Sequence, residues 1–199
     1  KRGFAALAVT ASSAMILSSC AAPSFDAANC TDAALSVGSL LPTTGNLAFL
    51  GAPEIAGVDL AIKEINEAGG VAGKCVSVSH KDSGDTTTDI ATQSSTALIN
   101  DGVDAIVGAA SSGVSLSVID QITGAGVLQI SPANTAPDLS TYADGGLYFR
   151  TAPSDVLQGE VLGNLIAEDG HQRISMIVLN DSYGTGLAQF TTEAFEAAG

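Results

Sequence analysis

Short apolar runs and one-sided apolar stripes take turns along most of this chain. Residues 35–41, 76–80, 103–108, 127–131 and 147–150 are brief, β-branched-rich runs of the kind that form buried strands. Between them lie segments with helical spacing. Residues 53–68 put Ile55, Val58, Ile62 and Ile65 on one face and stop at Gly69-Gly70. Residues 86–101 follow Asp85 as a cap, turn Ile90, Ala91, Ser94, Ala97 and Leu98 inward, and end at Gly102. Residues 112–123 align Val114, Val118 and Ile122.

This alternation predicts a parallel sheet with right-handed crossovers and helices on both faces, a doubly wound α/β lobe over residues 32–148. After a less regular stretch at 132–146 the rhythm restarts, with a helix at 155–169, a strand at 174–179 and a helix at 184–198. Residues 149–154 read as a crossing into a second Rossmann-like lobe, begun at 155–199 and incomplete there. The chain is therefore expected to be a piece of a longer protein.

The first 19 residues follow a different logic. Lys1 and Arg2 precede an apolar run rich in Ala, and Leu17-Ser18-Ser19-Cys20 closes it, which reads as an export signal. The run is too short to span a bilayer comfortably. Leu-Ser-Ser-Cys resembles the bacterial lipoprotein cleavage motif, in which Cys20 becomes the first mature residue and carries acyl chains. Each buried methylene adds roughly 0.8 kcal/mol, so two or more chains anchor stably. The alternative is an ordinary signal peptide with an incidental cysteine. Residues 20–31, small and patternless, suit a tether between the anchor and the domain. The protein is thus expected outside the cytoplasm, lipid-anchored on the outer face of the cell membrane or periplasmic.

Charge and cysteines agree with export. Seven Lys and Arg stand against 21 Asp and Glu, and without Lys1 and Arg2 the balance becomes 5 against 21, a net of −16. Such a surface repels phosphate backbones and excludes nucleic acid as a partner. With Cys20 acylated, Cys30 and Cys75 remain as an even pair, each just before a predicted strand. If those strands are parallel neighbours, a disulfide would close a 45-residue loop, worth roughly 3–4 kcal/mol in the chain-entropy model.

Ligands of open parallel sheets bind beyond the carboxyl ends of the strands. Here those ends run into residues 42–51, 80–85, 108–113 and 131–135, rich in hydroxyls and free amides. Ser111-Ser112-Gly113 opens a helix, where unpaired amides and the dipole favour a carboxylate. Either serine could instead merely cap that helix. Residues Ser131–Thr135, with the carbonyls of Ala133 and Asn134 and the Thr135 hydroxyl, suit an ammonium beside the carboxylate.

Catalytic readings find little support. No serine sits in a nucleophile elbow, and neither His80 nor His171 has a sequence context pairing it with Asp and Ser. No metal-ligand spacing survives the assignment of the cysteines, and Asp82, Asp85 and Asp89 do not follow a calcium-loop order. No nucleotide-binding glycine motif is complete, so neither cofactor nor metal is expected.

Several segments then resemble one family. Leu41-Pro42-Thr43-Thr44-Gly45, the stretch GVDLAIKEINEAGG from Gly57 to Gly70, Gly108 to Ser112, residues 131–135, Phe149-Arg150-Thr151 and Asp181-Ser182-Tyr183-Gly184 are similar, in order and spacing, to the type I periplasmic binding proteins. The leucine/isoleucine/valine receptors of ABC importers are the closest group within it. The resemblance implies two lobes closing on a small amino acid by hinge motion, with permease and ATPase subunits as partners and a monomeric receptor. It also implies that Ser112 and Thr135 hold the ligand carboxylate, that the Ala133 carbonyl helps hold the ammonium, and that Tyr183 covers the ligand from the second lobe. Ser111 and Asn134 adjoin these positions. The position of Leu50 carries an aromatic residue in the best-known amino-acid receptors, which leaves the side-chain pocket open. The acidic residue that completes ammonium binding in those receptors lies beyond position 199. Rival readings are a receptor for an amide, urea or other small solute, a ligand-sensing ectodomain, and a secreted hydrolase.

Overall fold

A computed structural model describes Cys30 and residues 32–199. The signal, Cys20 and most of the tether lie outside the described residues. Strands β1 (Leu35–Leu41), β2 (Val76–Asp82), β3 (Ala105–Gly108), β4 (Leu128–Ser131) and β5 (Tyr148–Arg150) form one parallel sheet in the order β2-β1-β3-β4-β5. Successive residues of β1 serve opposite faces, as the two-residue repeat of a strand requires. Leu40 joins Ile106, Leu98 of α2 (Ile90–Asn100) and Val114, Val118 and Ile122 of α3 (Ser112–Gly124) on one side of the sheet. Val37 packs with Val76 and with Ile62 of α1 (Ala48–Glu67) on the other. Buried aliphatic side chains of this kind contribute roughly 1.5–3 kcal/mol each. A smaller cluster of Ile119, Ala136, Leu139 and Tyr148 seals the β5 end.

The order in which strands are added reverses at β1. The chain leaves β1 outward to β2 and then returns past β1 to β3, so the loops after β1 and β3 diverge and open a crevice at the sheet's carboxyl edge. Cys30 and Cys75 are joined by a disulfide at the opposite edge, their Cα atoms 5.9 Å apart.

Several boundaries differ from the pattern reading. Helix α1 begins at Ala48 rather than 53, with Pro53 inside it. Proline carries a helical φ, and the only bond it removes is the one to the Phe49 carbonyl, in a residue 72% exposed. The early start depends on Gly51, where a Cβ would lie 1.9 Å from the Pro42 carbonyl oxygen. On the same helix Ile65 is exposed and Asn66 takes the buried position, donating to the Val76 carbonyl (2.9 Å) and accepting from the Val76 amide (2.7 Å). An amide side chain thus satisfies the backbone of the outer strand β2. Helix α2 starts at Ile90 because Asp85 folds back on Thr87, accepting from its amide (2.9 Å) and hydroxyl (2.6 Å), instead of capping the helix.

Past β5 the chain forms α4 (Asp155–Glu168) and α5 (Ser182–Ala197), packed directly on each other. Gly159 and Gly163 set their spacing, since a Cβ at Gly163 would fall 2.5 Å from the Thr191 carbonyl oxygen. The expected strand at 174–179 is not one. Those residues pair with no strand of the sheet, and Ile177 is fully exposed. An apolar run becomes a strand only beside a hydrogen-bonding neighbour, and none of the described residues supplies it. Among the described residues, no helix is long and apolar enough to cross a membrane.

Candidate ligand-binding site

A cleft of about 380 Å³ opens at the crevice between the β1 and β3 loops, within the size range of small-molecule pockets. Five segments build it. Leu47, Phe49 and Leu50 come from the start of α1, Ala110, Ser111 and Ser112 from the β3–α3 junction, and Ala133 and Thr135 from the loop after β4. Gln158 of α4 and Leu179, Asp181 and Tyr183 at the entry to α5 face them from the other side. The floor is polar and the walls are largely aliphatic.

The two adjacent serines do different jobs. Ser111 is the cap: its side chain accepts from the Val114 amide at 3.4 Å. Ser112, 3% exposed, instead accepts from the amides of Thr135 and Ala136, both at 3.2 Å. Its oxygen is thereby saturated with donors, and its single proton is left for an acceptor in the cleft. The amides of Ser112 and Gly113, first in α3, have no intrahelical acceptor, so the positive end of the helix points the same way. This corner is built for an anion.

The loop after β4 is shaped by Ser131. Its hydroxyl donates to the Ala109 carbonyl (2.7 Å) and accepts from the amides of Ala133 and Asn134 (3.3 and 3.0 Å). Asn134 is spent inside that framework, against the expectation that it faces a ligand. Fully buried, it donates to the Ala110 carbonyl (2.8 Å) and accepts from the Tyr148 hydroxyl (2.8 Å). Burial in that cluster pushes the Tyr148 phenol up to about 12, so it stays a donor. Tyr142 packs beside it and donates to Asp120 (3.0 Å).

The loop after β1 is pinned by Asp82 at the end of β2. Burial works against its charge, but the Thr44 hydroxyl (2.5 Å) and the amides of Gly84 (2.9 Å), Thr43 (2.9 Å) and Thr44 (3.2 Å) outweigh it and hold the carboxyl at about 2. Asp181 caps α5 by accepting from the Gly184 amide at 2.8 Å, which fixes where Tyr183 starts.

Of the residues singled out in the sequence, Leu50, Ser111, Ser112, Ala133, Thr135 and Tyr183 border the cleft, and Asn134 does not. Phe49, Leu47, Gln158, Leu179 and Asp181 were missed. Phe49 places an aromatic one position before Leu50, a shift visible only once α1 is known to start at Ala48. One catalytic-looking arrangement also emerges, contrary to the sequence reading: His80 lies between Ser39 (Nδ1 to Oγ, 2.6 Å) and Asp59 (Nε2 to Oδ1, 2.9 Å). Ser39 and His80 are register partners on β1 and β2, and Asp59 sits on α1, so the trio had no linear signature. Ser39 is fully buried within the sheet, so no substrate reaches it, and the trio ties α1 to the sheet. Among the described residues no cluster of His, Cys, Asp or Glu could hold a metal ion.

Comparison with known proteins places this geometry. Residues 34–199 match the periplasmic binding protein family. The chain is 37% identical over 161 residues to the leucine-, isoleucine-, valine-, threonine- and alanine-binding protein of Pseudomonas aeruginosa, covering 79% of this chain and 42% of that one. It is 31% identical over 166 residues to Leu/Ile/Val-binding protein homolog 3 of Brucella melitensis, covering 82% and 43%. Its structure is similar to that of an ABC transporter substrate-binding protein from Desulfitobacterium hafniense in complex with Leu, with a TM-score of 0.64 and 32% identity over 83% of this chain and 48% of that one. The chain thus spans less than half the length of these relatives. A parallel sheet in this order, a cleft at its switch point and a sequence match over 34–199 agree: the chain belongs to the periplasmic binding protein family, with the type I fold.

Proposed function

We propose that this chain is the first lobe, and the opening of the second, of an extracytoplasmic receptor that delivers a branched-chain or similar small amino acid to an ABC importer. The observation that carries the reading is the cleft itself, whose anion-seeking floor lies beneath aliphatic walls. The ligand carboxylate is received by the Ser112 hydroxyl and the first amides of α3. Its ammonium meets the Ala133 carbonyl and the Thr135 hydroxyl, which gives its proton to Asp155 and so serves the ammonium rather than the carboxylate that the resemblance implied, and its side chain lies against Leu47, Phe49, Leu50 and Leu179. Tyr183 covers it, with residues 149–154 as the crossing about which the lobes close. The Pseudomonas aeruginosa relative is named for binding leucine, isoleucine, valine, threonine and alanine, which supports a small, mostly aliphatic amino acid as ligand. Nothing in the arrangement calls for bond making or breaking, and the role is binding and release.

On the same reading Cys20 carries the lipid that holds the receptor outside the membrane, and permease and ATPase subunits receive its cargo. Calorimetry of the full-length protein against a panel of amino acids tests the central part. Leucine, isoleucine or valine is expected to bind, and Ser112→Ala to weaken binding by about 10- to 100-fold, the loss of one hydrogen bond to a charged group. A Ser112→Ala protein that melts like the parent yet binds every ligand equally well would remove this residue from the site.

A further inference from the structure

We propose that Asp155 orients the Thr135 hydroxyl so that Thr135 faces the cleft as a hydrogen-bond acceptor, which makes the site select for a ligand ammonium. Thr135 has one hydroxyl proton, and it goes to Asp155 Oδ2 at 2.8 Å. The oxygen lone pairs are what remain on the cleft side, where Thr135 is part of the lining and Asp155 is not. A second bond, from the Asp155 amide to the Thr135 carbonyl (2.8 Å), clamps the two residues together across 20 positions of sequence.

The charge balance around Asp155 points the same way. The residue is fully buried, and its Oδ1 has no hydrogen-bond partner. Burial raises its pKa, with the Thr135 hydroxyl and the field of Arg150 opposing. Arg150 does not neutralise it by contact: its guanidinium donates to the Ala136 carbonyl (2.8 Å) and the Ser140 hydroxyl (2.6 Å). Asp155 stands instead at the start of α4, capped by Ser154, where the helix dipole favours a carboxylate. A buried carboxylate without an ion-pair partner costs free energy unless a cation approaches, and its hydrogen-bond partner Thr135 borders the cleft. Asp155 is thus a positioning residue that acts through Thr135. The ligand's ammonium completes a chain running from cation to hydroxyl to carboxylate.

This inference rests on the amino-acid reading of the cleft, and its test separates the two. In the full-length protein, binding of L-leucine is compared with that of isocaproate, which has the same skeleton and carboxylate but no ammonium. Asp155→Asn is expected to weaken leucine on the order of tenfold while leaving isocaproate nearly unchanged, so that the preference for the amine collapses. Thr135→Val is expected to produce the same collapse, and Asp155→Asn to add little in that background. Equal weakening of both ligands by Asp155→Asn, or an undiminished effect in the Thr135→Val background, overturns the inference and leaves the site reading intact. Failure of the unaltered protein to bind any amino acid overturns both.

Discussion

Single side chains decide how the cleft is presented, and most do so by what they bind within the protein. Ser111 satisfies a helix end so that Ser112 need not, and Ser112 is then held by two amides with its proton free. Asp82 works at greater range, since four donors from the β1 loop and its own turn converge on one carboxylate. Its depressed pKa means that this anchoring is complete above the ordinary carboxylate value near 3.9 and is lost as pH falls toward about 2. Thermal melts between pH 5 and pH 2 are therefore expected to steepen because of Asp82, and Asp82→Asn to flatten them. Melts of that variant that parallel the parent at every pH would contradict the assignment. The serines were legible because a helix opening with Ser-Ser-Gly after a strand has few uses. Asp155 was not legible, because its partner lies 20 residues away and only the turn after β4 brings them together. Asn134 was misread for the converse reason: a polar residue in a loop is indistinguishable in sequence from one buried in a satisfied network.

At the level of elements, apolar period located the strands and helices of the sheet, since each buries a face against a neighbour in the same stretch of chain. It failed at 174–179, where an equally apolar run lacks that neighbour, and at the start of α1, where a proline looked like a first helical residue. The contact between α4 and α5 was also unreadable, because glycines inside a helical pattern lower its propensity without saying what they admit. Here they admit Phe190, Thr191 and Ala194 of α5. Gly163→Leu is accordingly expected to destabilise the pair by about 1–3 kcal/mol, the usual cost of overpacking. Hydrogen exchange should register the loss in 155–197 and leave β1 to β4 protected. Uniform loss of protection would show that the two parts unfold as one unit.

The whole molecule is a sheet that gathers loop ends on one edge, with a helical pair laid across them. Its disulfide lies at the other edge, where β1 and β2 begin, away from the loops that line the cleft. On the second part, Leu157, Val161, Leu165 and residues 176–179 are exposed apolar surface, in a chain that matches less than half of its relatives' length. On the proposed reading the ligand site depends on the first part for its charge chemistry and on the second for cover. The polar corner and Tyr183 could be inferred from sequence, while the apolar wall residues Leu47, Phe49 and Leu179 needed the fold.

The most direct test is a crystal structure of the full-length protein with leucine bound. The account predicts the leucine carboxylate within hydrogen-bonding distance of Ser112 Oγ and the first amides of α3, and the ammonium at the Ala133 carbonyl and Thr135 Oγ1. Leucine seated elsewhere, or turned so that its ammonium meets the α3 N-terminus, would contradict it.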